Sequence, residues 1–183
     1  ATVEMAGSDS VWVCHLSMLK DTVTVPLSHF VEELEMVKLD NRDAALVSPS
    51  KTIIGKQYIL VHKMGHVPFK LFTKSGIYLR DIGSFGQGAG EYGLAYDAQM
   101  DEENNRLYVL CWQADHILVF DLQGNILQPI RLAHWSPKGV FHVETERGRV
   151  HVCALSFNRD FVGDRHSPMI WTQSLDGKII KEL

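Results

Sequence analysis

The chain is poor in the features that most readily betray a function. Its 183 residues hold three cysteines, Cys14, Cys111 and Cys153, with no CxxC pair among them. That excludes a disulfide framework and a zinc-finger spacing, and leaves three free, buried thiols as the expectation. No Lys/Arg cluster is longer than a pair, and 18 basic against 22 acidic side chains give a net charge of −4, so the footprint of a nucleic-acid binder is missing. No apolar run approaches the roughly 18 residues of a membrane-spanning helix. Beyond residue 40 no segment sustains a 3.6-residue hydrophobic period, which leaves little room for amphipathic helices. The remaining composition, 45% hydrophobic and 22% charged, is that of a globular domain able to bury a core. The chain opens on Ala1 rather than Met, and the expectation is that a signal segment or a tag preceded it.

What is present is a pattern that occurs three times. Phe69–Arg80, Ile117–Leu127 and Ile170–Ile180 each read as an apolar strand, a turn closed by glycine and a second apolar strand. The turn glycines Gly76, Gly124 and Gly177 lie 48 and 53 residues apart. Periods of about 40–50 residues holding several short strands are the signature of propeller blades. Each repeat expands to four strands separated by polar or glycine-bearing turns. The first is 52–54, 58–62, 69–73 and 78–82; the second 94–100, 106–112, 117–121 and 126–132; the third 140–146, 149–155, 169–174 and 178–183. The predicted fold class is therefore all-β and propeller-like, with about three four-stranded antiparallel blades and an N-terminal closing segment. It is read as one domain, 1–183, with the N-terminal segment at 1–48 and blades at about 49–83, 94–132 and 139–183. In that segment Val11–Leu16 and Thr22–Val25 read as strands, Ser28 as the N-cap of one helical turn, and Leu34–Leu39 as extended chain. Three blades make about half of a ring of 4–8. The chain is thus expected to be part of a larger ring, to pair with a second copy, or to close as a small ring.

Between the first and second repeats stands Asp81-Ile-Gly-Ser-Phe-Gly86-Gln87-Gly88-Ala-Gly90-Glu91-Tyr92, followed by Asp101–Glu103 and Leu107-Tyr108-Val109. This loop, strand, acidic turn and strand resemble the exported six-bladed β-propeller proteins of Bacteroides-type bacteria, which are similar to NHL-repeat propellers. Pro26-Leu27-Ser28 and Leu34–Leu39 resemble the leader strand of that family, and Ala89 departs from its usual proline. The resemblance covers residues 22–183. It implies an exported protein of the periplasm or outer-membrane surface, lipid-anchored before processing in some members, and a ring of which about half is represented. It implies no general catalytic residue.

The glycine loop does not read as a phosphate cradle, because a strand rather than a helix follows and Glu91 is the nearby charge. Gly86, Gln87, Gly88, Gly90, Glu91 and Tyr92 read instead as an inter-blade connection, with Glu91 accepting backbone hydrogen bonds inside the loop. His62 and His66 lie at a strand end and read as exposed. If Arg147-Gly148 were a two-residue turn, Glu144 would face His151 and His142 would face Cys153. His142, Glu144, His151 and Cys153 would then share one face, with Phe141, Val143, Val150 and Val152 on the other. Imidazoles with a carboxylate suit a transition metal, so His142, Glu144 and His151 are the candidate metal ligands. The structural alternative is a His–Glu hydrogen bond packed between blades. No other cofactor is expected. Asn158, Asp160, Asp164, Arg165 and His166 occupy the long connection 156–167, the preferred binding surface because long loops on rigid scaffolds carry function. Trp112, Trp135 and Trp171 are either sugar-stacking platforms or blade packing.

The leading functional expectation is a non-catalytic recognition module of the cell envelope that binds a protein or glycan through its loops. The alternative is a propeller enzyme, lactonase- or lyase-like, with a metal or polar cluster in the channel. The apolar strands Val150–Leu155 and Tyr58–Val61 predict two terminal faces that seek cover, and hence self-association or a further part of the ring.

Overall fold

The computed structural model describes residues 2–6, 9–18, 21–22, 24–48, 50–63, 65, 67–88, 91–155 and 169–182. It divides into two compact units, Ala1–Met36 and Val37–Leu183. In the first unit β1 (Thr2–Ala6) pairs with β2 (Asp9–Val13) antiparallel, Thr2 opposite Val13. Single 3-10 turns follow at Leu16–Met18 and Leu27–His29. The second turn starts at Pro26, extended at φ −60° with no side-chain cap. Proline's fixed φ opens this turn, and Ser28 lies inside it rather than capping it. Residues 22, 24 and 25 form no strand, and 34–39 join no ladder.

The second unit contains three four-stranded antiparallel sheets, each a meander in chain order. Sheet I is β3 (Lys51–Ile54), β4 (Tyr58–His62), β5 (Phe69–Thr73) and β6 (Tyr78–Ile82). A two-residue parallel pair, β7 (Ser84–Phe85) with β8 (Glu91–Tyr92), leads onward. Sheet II is β9 (Ala95–Asp101), β10 (Arg106–Cys111), β11 (Ala114–Phe120) and β12 (Ile130–Ser136). Sheet III is β13 (Gly139–Glu144), β14 (Arg149–Ala154), β15 (Ile170–Ser174) and β16 (Ile179–Glu182). The all-β reading holds, and β4, β5 and β6 coincide with their expected spans. The largest shift is β12. Ile126 makes one isolated bridge to Phe120, and the ladder forms only from Ile130, past Pro129, which has no N–H to donate.

Registers superimpose the sheets residue by residue. Leu60 pairs with Leu71, Tyr108 with Val119 and His151 with Thr172. Likewise Asp101 stands opposite Arg106, and Glu144 opposite Arg149. With the side-chain period of two, each sheet then has a front and a back. The front of sheet I (Leu60, Phe69, Leu71) packs on the back of sheet II (Leu107, Val109). The front of sheet II (Tyr108, Leu110, Ile117, Val119) packs on the back of sheet III (Phe141, Val143, Val150, Val152, Trp171). The back of sheet I (Ile59, Val61, Phe72) is covered by Val37, Leu39 and Ala45. Both strands expected to form open terminal faces are thus buried at Ile59, Val61, Val150 and Val152.

The repeated glycines mark where each sheet rests on the preceding layer. Gly76, Gly124 and Gly177 have φ of +89°, +95° and +85°, which side chains with a Cβ rarely adopt. A Cβ on each would also point at a carbonyl oxygen of the layer before: Lys38, Asp81 and Arg131 respectively. Asp40 N–H donates to the Gly76 carbonyl at 2.8 Å. Residues 37–40 therefore stand to sheet I as the outer strands of sheets I and II stand to the sheets that follow them.

Candidate functional site

The hairpin carrying His142, Glu144 and His151 is closed by a 3-10 turn, Thr145–Arg147, with Gly148 left-handed at φ +60°. This turn is two residues longer than the expected one, so the register differs: His142 faces His151, Glu144 faces Arg149 and Val140 faces Cys153. A shift of two preserves the faces. His142, Glu144, His151 and Cys153 remain together, while Phe141, Val143, Val150 and Val152 are buried on the other side. The two imidazoles stack with centroids 6.3 Å apart and planes 19° from parallel. His151 Nε2 lies 3.5 Å from Glu144 Oε2, and its Nδ1 lies 3.0 Å from Thr172 Oγ1. Arg147 Nη1 reaches Glu144 Oε1 at 3.0 Å. Both His151 nitrogens and both Glu144 oxygens are thus engaged, and among the described residues no group of three His, Cys, Asp or Glu converges on a metal-sized point.

Asn158, Asp160, Asp164, Arg165 and His166 lie outside the described residues, as do Gly90 and His66. The rest of the glycine loop is tied to its own end. Glu91 Oε2 accepts from Gly88 N at 2.9 Å, and Gly86 N donates to the Tyr92 carbonyl at 3.1 Å. Tyr92 plugs the core between sheets I and II, its ring edge-on to Phe69 and Phe120. Its hydroxyl donates to the Val67 carbonyl at 3.0 Å, and burial raises its pKa far above the ordinary phenol range.

Two expectations about single side chains are overturned. His62 is 4% exposed, because it sits at the front position filled by Leu110 in sheet II, against the Phe69 ring at 4.8 Å. Burial, with help from the nearby Lys51 charge, lowers its pKa. Its Nδ1 has no hydrogen-bond partner among the described residues, and it borders a cavity of about 60 Å³ with Ser48, Val61, Lys63 and Pro68. Cys14 and Cys153 are exposed, and only Cys111 is half-buried. Cys153 is exposed because it lies on the front of sheet III. Burial pushes the Cys111 thiol up to about 11.

Most polar side chains between the sheets are occupied in joining them. Asp97 Oδ2 accepts from Phe141 N at 3.0 Å. Gln99 Oε1 accepts from Val143 N at 2.7 Å, and its Nε2 donates to the Val143 carbonyl at 2.9 Å. Asp101 Oδ2 accepts from Thr145 Oγ1 at 2.9 Å. Burial opposes ionisation of Asp101, but hydrogen bonds from Asn104 and Thr145 hold its pKa below the usual carboxylate value. Glu102 caps the β3–β4 turn, accepting from the backbone N–H of Lys56, Gln57 and Tyr58 at 2.8, 3.1 and 2.8 Å. In sheet III, Gln173 accepts from Ala133 N and donates to the Arg131 carbonyl, both at 2.8 Å. These groups satisfy the backbone of strands that would otherwise present open edges.

The remaining cluster with the chemistry of a binding site is aromatic. It gathers where the β10–β11 turn meets the β12–β13 connection. The Trp112 ring packs on Tyr96 at 5.6 Å, and the Lys138 ammonium stands over the same Tyr96 ring at 5.0 Å. Trp135 Nε1 donates to the Gln113 carbonyl at 3.0 Å, and Lys51 Nζ reaches the Tyr96 carbonyl at 3.3 Å. Tyr96, Trp112 and Trp135 are half-buried and Gln113 is exposed. Gln113 adopts φ +54°, uncommon for a residue with a long side chain. Its N–H donates to the Pro137 carbonyl at 3.0 Å, which fixes the turn. Leu155 N donates to the Lys138 carbonyl at 2.8 Å, so the end of β14 is held beside this cluster. Trp171, the third tryptophan weighed in sequence, is 1% exposed and belongs to the core. Tyr96 and Lys138 carry no signal of their own in the sequence because they lie 42 residues apart and meet only in the fold; the legible signal is Trp112-Gln113 at a turn.

Comparison with known proteins places this geometry in context. The chain belongs to the family described as "Domain of unknown function (DUF4934)", which matches residues 12–183. No curated protein matches it. A crystal structure of a "Putative exported protein" from Bacteroides fragilis NCTC 9343 is similar, with a TM-score of 0.65 at 20% identity over 82% of this chain and 42% of that one. A protein of unknown function from Bacteroides caccae aligns with a TM-score of 0.48 at 14% identity, over 69% of this chain and 45% of that one. The chain thus spans less than half the length of these two structures.

Proposed function

We propose that this member of the family is a non-catalytic recognition module of the bacterial cell envelope, binding a glycan at the strand ends of propeller-type sheets. The observation that carries the proposal is the half-buried cluster of Tyr96, Trp112 and Trp135 with Lys138 and Gln113 beside it. Flat aromatic faces meet the C–H faces of sugars with little loss of side-chain freedom. The neighbouring ammonium and amide supply donors and an acceptor for hydroxyls. The three stacked sheets read as successive blades of a six-bladed, NHL-like propeller. Export fits the description of the Bacteroides fragilis neighbour, and the periplasm or outer-membrane surface is the compartment of this proposal.

The test is an array of envelope and dietary glycans followed by tryptophan-fluorescence titration of the hits. Trp112→Ala is expected to weaken binding roughly thirtyfold, the effect of a buried aromatic anchor worth about 2 kcal/mol, with circular dichroism unchanged. A chain that captures no glycan, or binds one equally well as Trp112→Ala, overturns the glycan reading. Selective capture of a protein that is lost in the same variant would make the ligand a polypeptide.

A further inference from the structure

Two ammonium groups converge on one tyrosine of the aromatic cluster, and neither has a counter-ion. Lys51 Nζ lies 3.3 Å from the Tyr96 carbonyl oxygen, and the Lys138 ammonium stands 5.0 Å from the centre of the same residue's ring. By contrast Lys56, Lys70 and Lys178 are matched with Glu103, Asp81 and Asp176. Among the described residues no carboxylate comes within ion-pair reach of Lys51 or Lys138. The acids that flank the cluster in sequence are occupied elsewhere. Asp97 Oδ2 accepts from Phe141 N at 3.0 Å, and Asp115 pairs with its neighbour His116. Two β-bulges bring the aromatic groups to this end of sheet II. The β9–β10 register passes from Asp97 opposite Leu110 to Ala95 opposite Cys111, which leaves Tyr96 as the extra residue. The β11–β12 register passes from His116 opposite Arg131 to Ala114 opposite Ser136, and Trp135 lies in the looped-out stretch. Bulges re-aim side chains and recur beside functional sites.

The polar groups gathered there are mostly donors. An ammonium offers three donors and no acceptor, and an indole N–H only donates. Trp135 Nε1 already uses its proton on the Gln113 carbonyl. The Gln113 amide and the Tyr96 hydroxyl are the cluster's side-chain acceptors. A sugar hydroxyl donates as well as accepts, whereas a carboxylate or a sulfate ester only accepts, and its charge supplies what the two lysines lack. We infer that the site takes an acidic glycan, a uronate- or sulfate-bearing sugar whose ring lies on the aromatic faces while Lys138 and Lys51 meet its anionic group. The inference rests on the glycan reading and narrows the ligand to one class. Lys138, half-buried and held against the Tyr96 ring, makes the larger contribution. Lys51 is exposed and acts as a screened surface charge.

The probes are two matched pairs of short oligosaccharides: oligogalacturonate with its neutral methyl ester, and a sulfated galactan oligomer with its desulfated form. Tryptophan-fluorescence titration at low salt is expected to show the charged member of at least one pair binding about tenfold tighter or more. The pair that shows it tells carboxylate from sulfate. Lys138→Gln should bring charged binding close to the neutral level, and Lys51→Gln should weaken it roughly threefold. Raising the salt to about 1 M should shrink the preference, because charges are then screened beyond about 3 Å. Circular dichroism of both variants is expected to match the parent. Equal binding of charged and neutral members, lost in Trp112→Ala, overturns the inference and leaves the glycan reading standing. Failure of all four probes beside capture of a neutral glycan does the same, and failure of every glycan overturns both. A charge preference that survives Lys138→Gln, or charged binding that survives Trp112→Ala, also overturns it, because the anion would then be held elsewhere on the surface.

Discussion

Ile117 and Ile170 are the same residue at the same place in the repeat, one in sheet II and the other in sheet III. Ile117 is fully buried and Ile170 is 43% exposed. Both stand seven residues before their turn glycine, and their neighbours across the ladder, Leu110 and Cys153, also correspond. What separates them is the layer above. Sheet III covers the first, and among the described residues nothing comparable covers the second. A strand's ladder follows from local pattern and turn, whereas the burial of its face depends on a partner many residues away. The side chains differ accordingly: Tyr108, Leu110 and Val119 in sheet II become His151, Cys153 and Thr172 in sheet III.

The largest effect should come from truncating this pair. Ile117→Ala is expected to cost about 2–5 kcal/mol, because it opens a cavity between two packed sheets. Ile170→Ala should cost less than about 1 kcal/mol, since the three side-chain carbons it removes are already partly in contact with water. Urea denaturation of both variants checks the contrast. Equal losses would mean that the front of sheet III is buried in solution.

The turn glycines come next. Gly177 has φ +85°, and a Cβ there would lie 3.2 Å from the Arg131 carbonyl oxygen, whereas Gly148 has φ +60° and open space around it. Gly148→Ala is expected to cost about 1 kcal/mol for the left-handed backbone alone. Gly177→Ala should cost about 1–3 kcal/mol, because a less favourable φ is compounded by crowding against the preceding sheet. Thermal melts in parallel decide it, and a Gly148 variant that suffers more would break the reading of these glycines as inter-sheet contacts.

A smaller contrast concerns two carboxylates. Glu102 holds three backbone N–H groups of sheet I, so Glu102→Ala should cost about 1–3 kcal/mol by leaving them unpaired. Among the described residues the Glu144 carboxylate meets the partly exposed side chains of Arg147 and His151, and its removal should cost under about 1 kcal/mol. If Glu144→Ala were the more damaging, the front of sheet III would already hold a partner.

How much of this was legible in the sequence differs by level. The glycine spacing and the alternation of apolar residues located three sheets of four strands, because turn chemistry and side-chain period are local. The register of the His142–His151 hairpin was not legible, since a four-residue turn, Thr145–Gly148, can be mistaken for the shorter Arg147-Gly148. Nor was the aromatic cluster, in which Tyr96, Trp112, Trp135 and Lys138 meet only through the lateral pairing of the strands of sheet II. His62 was misjudged for a related reason: a histidine at a strand end looks exposed until the next sheet is placed on it. A closing N-terminal segment is expected from the sequence, but not that Val37, Leu39 and Ala45 cover sheet I, because they do so without forming a ladder with it.

The smallest expected effect turns on that histidine. His62 occupies in sheet I the position of Leu110 in sheet II, and burial lowers its pKa from the ordinary value of 6.5. The unfolded chain, with its histidine at the ordinary value, therefore binds the proton more readily than the folded one, and stability rises with pH across the interval between them. The contribution is fully present above about pH 6.5 and is lost as pH falls from there toward the lowered folded value. His62→Leu installs the residue that sheet II already uses and removes the buried proton acceptor. The variant is expected to melt at a temperature less dependent on pH between about 7 and 5 than the parent. Differential scanning calorimetry of the two proteins across this range checks it. A parent whose melting temperature is flat below pH 6.5, or a variant that keeps the parent's slope, would show that His62 is solvated and that the first two sheets are less tightly stacked than the second and third.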